Sequence, residues 1–401
     1  MPSATLSPSD CLDPDLDPDE PVRVGGRVTA VRAGGGTIAD AICSVAFELE
    51  APAELMPGDL VVLRARPGPR LSSARVVQRI PCSPPPPDGE HARLSAGAGE
   101  RLAARARAIA AIRDYFVRER FVEVETPVNV RTPGLDAYVD AIATETGFLT
   151  TSPELQMKRL LVAGLPRIFQ FARVSRAFEH GPWHEPEFSM LEWYRAFADQ
   201  TAVMTDTEQI VHRVVSVIAG GSWLELAGGR RLDVAPPFDR LTVAEAFREH
   251  ASVNDVADLA ASDEDRFFQL LVDRVEPALA GHPRPVFLCD YPLSQAALAR
   301  PNPEDPRFAE RFELYVGGVE LCNGFSELTD PAEQRRRFEK ERARRQSSGA
   351  PVYAIDERFM AALCEGMPPS AGNALGLDRL IALATGAAGV ADVLAFPAAW
   401  L

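Results

Sequence analysis

The sequence is almost without lysine. Lys158 and Lys340 are the only two among 42 basic residues, so every other fixed cation is an arginine. This replacement, beside many alanines and prolines, reflects genome composition more than chemistry. Long apolar runs are missing too. Nothing approaches the roughly 20 apolar residues of a membrane span, and no charged-then-apolar leader opens the chain, which excludes a membrane protein and points to the cytoplasm. The six cysteines (Cys11, Cys43, Cys82, Cys289, Cys322, Cys364) are scattered and form no Cys-x-x-Cys pair. That argues against a zinc site and against a disulfide framework. Positive charge is also short: 57 acids leave the chain at −15, so it does not hold nucleic acid by bulk charge. What is present is ordinary for a globular protein, 46% apolar and 25% charged over 401 residues. Such a length suits two or three domains with a large core.

Residues 1–20 carry six acids and no base; with so little to bury, they read as a disordered acidic tail. Residues 21–82 differ. Short β-type runs at 22–29, 41–49, 60–63 and 74–80 are punctuated by Gly34-Gly35-Gly36 and Pro57-Gly58-Asp59. They predict a small antiparallel barrel of OB type. Its eight arginines face five acids, and Phe47 is its only aromatic residue. Barrels that bind single strands stack bases on several aromatics, so a docking or structural role stands beside RNA binding. The proline run within 83–90 reads as a stiff linker. Residues 91–401 then form one large domain without internal repeats.

Four features of that domain carry chemistry. Leu102, Ile109, Ile112 and Phe116 recur at helical spacing, and a strand at 121–124 ends before Pro127; ordinary packing accounts for this piece alone. Next come two strands, 167–176 and 186–195, around a loop with Glu179, Gly181 and His184. Alternation places Phe188, Glu192 and Tyr194 on one face. A ring, a carboxylate and a phenol make a poor core. They make a good floor for a ligand with a flat ring at one end and an amine at the other, and Arg176 and His184 suit a phosphate. A solvated surface hairpin is the plain alternative. Third, Gly317-Gly318 marks a hairpin in which Tyr315 faces Glu320 and Glu313 faces Cys322. Glu313 and Glu320 then share a face and repel unless a cation lies between them; Mg²⁺ on a nucleotide phosphate fits, and an exposed acidic hairpin is the alternative. Strict alternation turns Asn323, Phe325 and Glu327 away from Glu320, so a bulge near Gly324 is needed for one common site. Fourth, the strand through Gly372-Asn-Ala-Leu-Gly376 runs into a helix with Arg379 in its first turn. The macrodipole disfavours a cation there unless an anion answers it.

The order of these pieces resembles motifs 1, 2 and 3 of class II aminoacyl-tRNA synthetases across about 91–401. Thr150-Thr-Ser-Pro-Glu-Leu-Gln-Met-Lys-Arg-Leu160 and Cys322-Asn-Gly-Phe-Ser-Glu-Leu328 are similar to the lysyl branch. Leu191-Glu-Trp-Tyr-Arg195, Asp290-Tyr-Pro-Leu-Ser-Gln-Ala-Ala-Leu298 and Ala374-Leu-Gly-Leu-Asp-Arg379 resemble the lysine ligases of elongation factor P, synthetase paralogues that modify a protein lysine. The resemblance implies an α+β fold, an antiparallel sheet flanked by helices behind the OB-like barrel, and a homodimer formed through motif 1. It implies ATP-dependent, AMP-forming activation of lysine or (R)-β-lysine and transfer to elongation factor P. A tRNA-charging enzyme stands second and a degenerate binding module third.

By the same resemblance, Arg176 and Arg379 are the catalytic cations. Arg176 grips the α-phosphate, and His184 and Arg379 the outer phosphates. Phe188 and Arg379 enclose adenine, Glu179 belongs to the ATP loop, and Glu313 and Glu320 hold Mg²⁺. Glu154 takes the amino group near the carboxylate, which Asn323 positions. Glu192, Tyr194 and Glu327 take the distal ammonium, Phe325 lines the stem, and Ala374 lies beneath the substrate backbone. The departures are Glu185 in place of Asn, Ser175 in place of Phe, and Glu179 three residues after Arg176 instead of two.

Overall fold

The small and branched residues between 22 and 80 build a sheet that closes on itself. In the computed structural model, which describes residues 5–136 and 138–401, strand Val22–Arg32 pairs with both Gly35–Ala39 and Leu60–Arg66, and Ser44–Leu49 and Arg70–Ile80 complete the ring. This OB-like barrel encloses Val24, Phe47, Leu63 and Leu71. Of the three glycines expected as punctuation, only Gly34 makes the turn, with φ 77°. Gly35 and Gly36 belong to a strand, because a Cβ on them would lie 2.2 Å from Phe47 O and 2.4 Å from Ala30 O. Close backbone approach, not a turn, demands those two.

Two expectations for this region are corrected. Residues 5–12, read as part of a disordered tail, are ordered: Thr5–Leu6 adds a parallel strand beside Arg23 and Val24, and Cys11 is buried in the barrel core. Buried Pro8 and Cys11, half-buried Leu6 and the Ser9 N–H bond to Asp40 anchor a segment that its charge count marked as unfolded. Residues 1–4 lie outside the described residues. Ser83 and Pro84, at the start of the proline run, lie against Gly58. The chain divides into two compact units at Arg105 and Ala106, inside helix Gly99–Arg118, and not at the proline run.

The second unit is built on an eight-stranded sheet. In spatial order its strands are Asp239–Thr242, Val286–Pro292, Phe308–Val316, Val319–Ser326, Ser370–Gly376, Glu187–Ala196, Arg167–Ser175 and Val122–Glu123. The outermost pair at each end is parallel and the rest are antiparallel. One face carries Phe169, Leu191, Trp193, Phe312 and Leu375, which pack on helices Gln200–Ala219 and Leu377–Ala384. Phe116 stacks on Phe169 at 4.4 Å. The 200–219 helix has firm ends, with Asp199 accepting from the N–H groups of Thr201 and Ala202, and Gly220 left-handed at the close.

On the other face, helices Glu154–Val162 and Glu357–Gly366 pack over Ile168 and Tyr194. Four short helices between Val243 and Ala280 form their own core around Phe247 and Phe267, joined by Val286, Leu288 and Tyr315 of the sheet. Helix Pro331–Ser348 carries Lys340 exposed and Arg345 fully buried on the carbonyls of Asp136, Val139 and Pro351.

Register places the functional row. Gln170, Glu192, Ala374, Asn323 and Glu313 sit side by side on five neighbouring strands, and paired residues in a sheet point to the same face. The hairpin around Gly317-Gly318 differs from strict alternation. Tyr315 faces Glu320 as expected, but Glu313 faces Asn323, and it is Leu314 that faces Cys322. Leu321 is the extra residue of a bulge, and its side chain is buried in the core. The bulge is therefore three residues before Gly324. Gly324 serves another purpose: a Cβ there would lie 2.5 Å from the Phe312 ring and 2.9 Å from Gly372 O.

Candidate active site

A cavity of about 370 Å³ opens over this row, with Glu154, Arg176, Glu192, Asn323, Phe325 and Ala374 in its wall, joined by Arg311. Three carboxylates, Glu154, Glu192 and Glu327, cluster at the cavity, the first two in its wall. Glu192 is fully buried and accepts from Ser152 Oγ at 2.6 Å and Tyr194 Oη at 2.9 Å. Burial and the nearby Glu154 charge push it up to about 7. Glu154 opens its helix, where Ser152 Oγ also accepts from its N–H at 3.0 Å. One turn on, Lys158 places its Nζ 2.5 Å from Glu154 Oε1 and 2.5 Å from Glu327 Oε2. Burial opposes that charge, but the two carboxylates outweigh it and hold Lys158 above its ordinary value. Burial pushes Glu327 up to about 8 even with Lys158 beside it.

Glu327 Oε1 has no hydrogen-bond partner. It lies against the bare backbone of Gly372, where a Cβ would stand 2.8 Å from Oε1 and 2.3 Å from the Tyr194 ring. Only glycine leaves that space open. Tyr194 and Glu327 do not line the cavity themselves; Tyr194 reaches it through Glu192.

A second group of residues is cationic, and of these Arg176 lines the cavity while Glu179, His184, Phe188 and Arg379 stand outside its wall. Arg176 lies 5.3 Å over the Phe188 ring and 3.5 Å from Glu179. Arg379, in the first turn of the 377–384 helix, donates to Trp183 O at 3.1 Å and Glu320 O at 2.8 Å. Its Nη2 lies 2.7 Å from His184 Nε2. A guanidinium only donates, so that imidazole nitrogen carries the lone pair. Partial loss of water and the Arg379 charge hold His184 below its ordinary value, in keeping with a neutral ring.

Next to Asn323 in the row, and outside the cavity wall, Glu313 accepts from Tyr291 Oη at 2.5 Å and Tyr315 Oη at 2.9 Å and pairs with Arg311 at 2.5 Å. Arg311 also donates to Asn323 Oδ1 at 3.2 Å, which leaves the Asn323 amide N–H groups to donate elsewhere. Loss of water and the Glu313 charge push Glu320 up to about 7. Burial is the larger cause and the Glu313 charge adds to it.

A family model for class II tRNA synthetases (D, K and N) matches residues 93–399. The chain belongs to that family. Among curated relatives, the "Elongation factor P--(R)-beta-lysine ligase" of Hamiltonella defensa is 40% identical over 311 residues, 74% of this chain and 94% of that protein. The proteins of the same description from Proteus mirabilis and Photorhabdus laumondii are each 42% identical over 311 and 309 residues, with the same coverage. The chain is thus a ligase of the class II synthetase family, a group of enzymes that use ATP.

Within that family frame, the departures find their places. Glu185 accepts from the N–H of Ala398 at 2.9 Å, so its carboxylate is engaged by the C-terminal turn. Ser175 is buried and donates its N–H to Thr150 O at 2.9 Å. Sequence reasoning missed Lys158, Arg311 and Ser152. Two had a readable signal: Lys158 lies four residues after Glu154 on one helix, and Arg311 two before Glu313 on one strand. Ser152 had none, because its partner Glu192 lies 40 residues away.

Proposed function

We propose that the protein activates lysine, as (R)-β-lysine or its α-isomer, with ATP and transfers it to a lysine side chain of elongation factor P. The observation that carries this reading is a buried carboxylate, Glu192, with its phenol partner, in a cavity whose wall also bears Arg176. An aliphatic diamine with a carboxylate spans such a site. Glu192 receives the distal ammonium at the cavity wall, with Tyr194 and Glu327 behind it. Phe325 lines the stem, Glu154 takes the nearer amine, and the free amide N–H groups of Asn323 hold the carboxylate. Loss of a charge-assisted bond at a buried acid costs about 2–5 kcal/mol, enough to reject a neutral chain.

The substrate carboxylate attacks the α-phosphate of ATP in line and pyrophosphate leaves. The acceptor amine then attacks the acyl carbon and AMP leaves. No side-chain nucleophile is required; positioning and neutralisation of charge suffice. In this reading Arg176 meets the α-phosphate, His184 and Arg379 the outer phosphates with Glu179 in the same loop, and Phe188 the adenine ring. Glu313 and Glu320 suit Mg²⁺, which takes one or two carboxylates and completes its shell with phosphate and water. Two adjacent acids of which one is pushed up by the other are the donor set that such an ion relieves. When bound, it neutralises phosphate charge.

The protein-ligase reading is favoured over tRNA charging by the barrel. Phe47, the only aromatic residue of the first 105, is wholly buried, so the barrel presents no ring for base stacking. Three of its arginines are paired with Glu48, Glu50 and Asp59. An acceptor that serves translation places the reaction in the cytoplasm. A homodimer is also proposed, through helix Gly99–Arg118 and the strand after it, where Val117, Val122 and Val128 are exposed. The test of acceptor is direct: protein, ATP and labelled lysine or β-lysine with either elongation factor P or total tRNA. Label on the protein factor is expected; label on tRNA alone overturns the reading.

A further inference from the structure

The amine end holds three buried or half-buried carboxylates, Glu154, Glu192 and Glu327, and one built-in cation, Lys158. Lys158 is 1% exposed and absent from the cavity wall. Its ammonium joins the two subsites, since Glu154 belongs to the nearer amine and Glu327 to the distal one. It lies 5.0 Å over the Phe325 ring, which lines the stem between them.

Charge counting gives the pattern a meaning. With all three acids ionised, the cluster of Glu154, Glu192, Glu327 and Lys158 has two negative charges in excess. A substrate with two ammonium groups supplies both. A substrate with one leaves a buried carboxylate uncompensated, which low-dielectric surroundings penalise strongly. We propose that Lys158 is a positioning residue, a third ammonium held permanently behind the cavity wall, which fixes Glu154 and Glu327 and leaves this cluster of acids balanced only when two substrate ammonium groups are bound. This inference rests on the lysine-activating reading above. It has a consequence in protons. Burial pushes both Glu192 and Glu327 up toward neutrality in the empty pocket, and Lys158 is the cation that draws both of them back down. Tyr194, the other titratable group facing them, stays a neutral phenol. Substrate uptake therefore expels protons.

The experiment is a double-variant cycle read by calorimetric lysine binding between pH 6 and 9 in buffers of different ionisation enthalpy. Lys158→Met leaves three acids for two substrate ammonium groups. Its affinity at pH 7 is expected to fall at least 30-fold, and the pH at which binding reaches its plateau should move up. Glu327→Gln alone leaves one cation in excess and should also bind weakly. The double variant Lys158→Met, Glu327→Gln restores two acids for two ammonium groups. It should recover affinity at least tenfold over Lys158→Met and return the pH profile toward neutrality. A packing role for Lys158 moves neither profile nor rescue. A double variant as weak as the poorer single one, with ATP binding and melting intact, overturns the inference alone. Failure of the unaltered protein to bind either lysine isomer overturns the functional reading and this inference with it.

Discussion

At the scale of single residues, Ala374 is the most informative side chain. It lies between Glu192 and Asn323 in the functional row and lines the cavity. The residues at that place on either side hold the two ends of the proposed substrate, so one methyl beneath the backbone narrows the room for an α-amino group. A methyl is worth about 1–3 kcal/mol, or roughly 10- to 200-fold. Ala374→Gly should therefore move selectivity toward α-lysine within that range, read as the ratio of pyrophosphate-exchange efficiencies for the two isomers. An unchanged ratio would reduce Ala374 to packing.

Acid should weaken lysine uptake by the same residue logic. A carboxylate holds an ammonium only when ionised, and Glu327 and Glu192 are pushed up to about 8 and about 7. KM for lysine should be lowest above pH 8 and rise as the pH falls through 8 and then 7, with kcat less affected. A KM flat between pH 6 and 8.5 would show that neither group changes charge on binding.

Elements decide which of these residues meet. Alternation along 187–196 was legible, and Phe188, Glu192 and Tyr194 share a face as expected because nothing interrupts the register with 167–175. The paired-acid hairpin was legible only in outline. Its turn and the Tyr315–Glu320 pairing follow from Gly317-Gly318, but the bulge at Leu321 does not, since it answers to a buried leucine finding the core on the far side. Glu320 and Asn323 are three residues apart, and the bulge is what lets them serve one site. The ordered segment 5–12 was hidden for a related reason. Its anchor, Cys11, meets partners such as Phe47 that lie far along the chain. Local composition describes a segment's own solubility and says little about a distant core that accepts two of its side chains.

The hairpin also yields a test. Glu320→Gln keeps shape and removes the charge that Glu313 crowds, so the fold should melt no lower than the parent. Lysine-dependent pyrophosphate exchange should nonetheless fall by two orders of magnitude or more, on the scale of about 3 kcal/mol for a lost charge contact at a reacting phosphate. Exchange that survives this change and also survives chelation of Mg²⁺ would refute the metal assignment.

For the whole molecule, the proposed two-fold pairing predicts a particle of twice 43.5 kDa at micromolar concentration. Sedimentation or light scattering measures it. A monomer with full activity would sink the pairing, because the exposed valines on 117, 122 and 128 would then need no partner.

The scarcity of lysine has a chemical consequence at this scale. An acyl adenylate is an electrophile that acylates whatever amine it meets, and arginine, protonated throughout the working range, is no nucleophile. Lys158 is sealed between two carboxylates, so Lys340 is the one exposed side-chain amine among the described residues. Self-acylation during idle turnover should be confined to Lys340 and the α-amino group, with Lys158 unmodified in a peptide map. The surface thus offers its own intermediate few amines to compete with the acceptor's lysine.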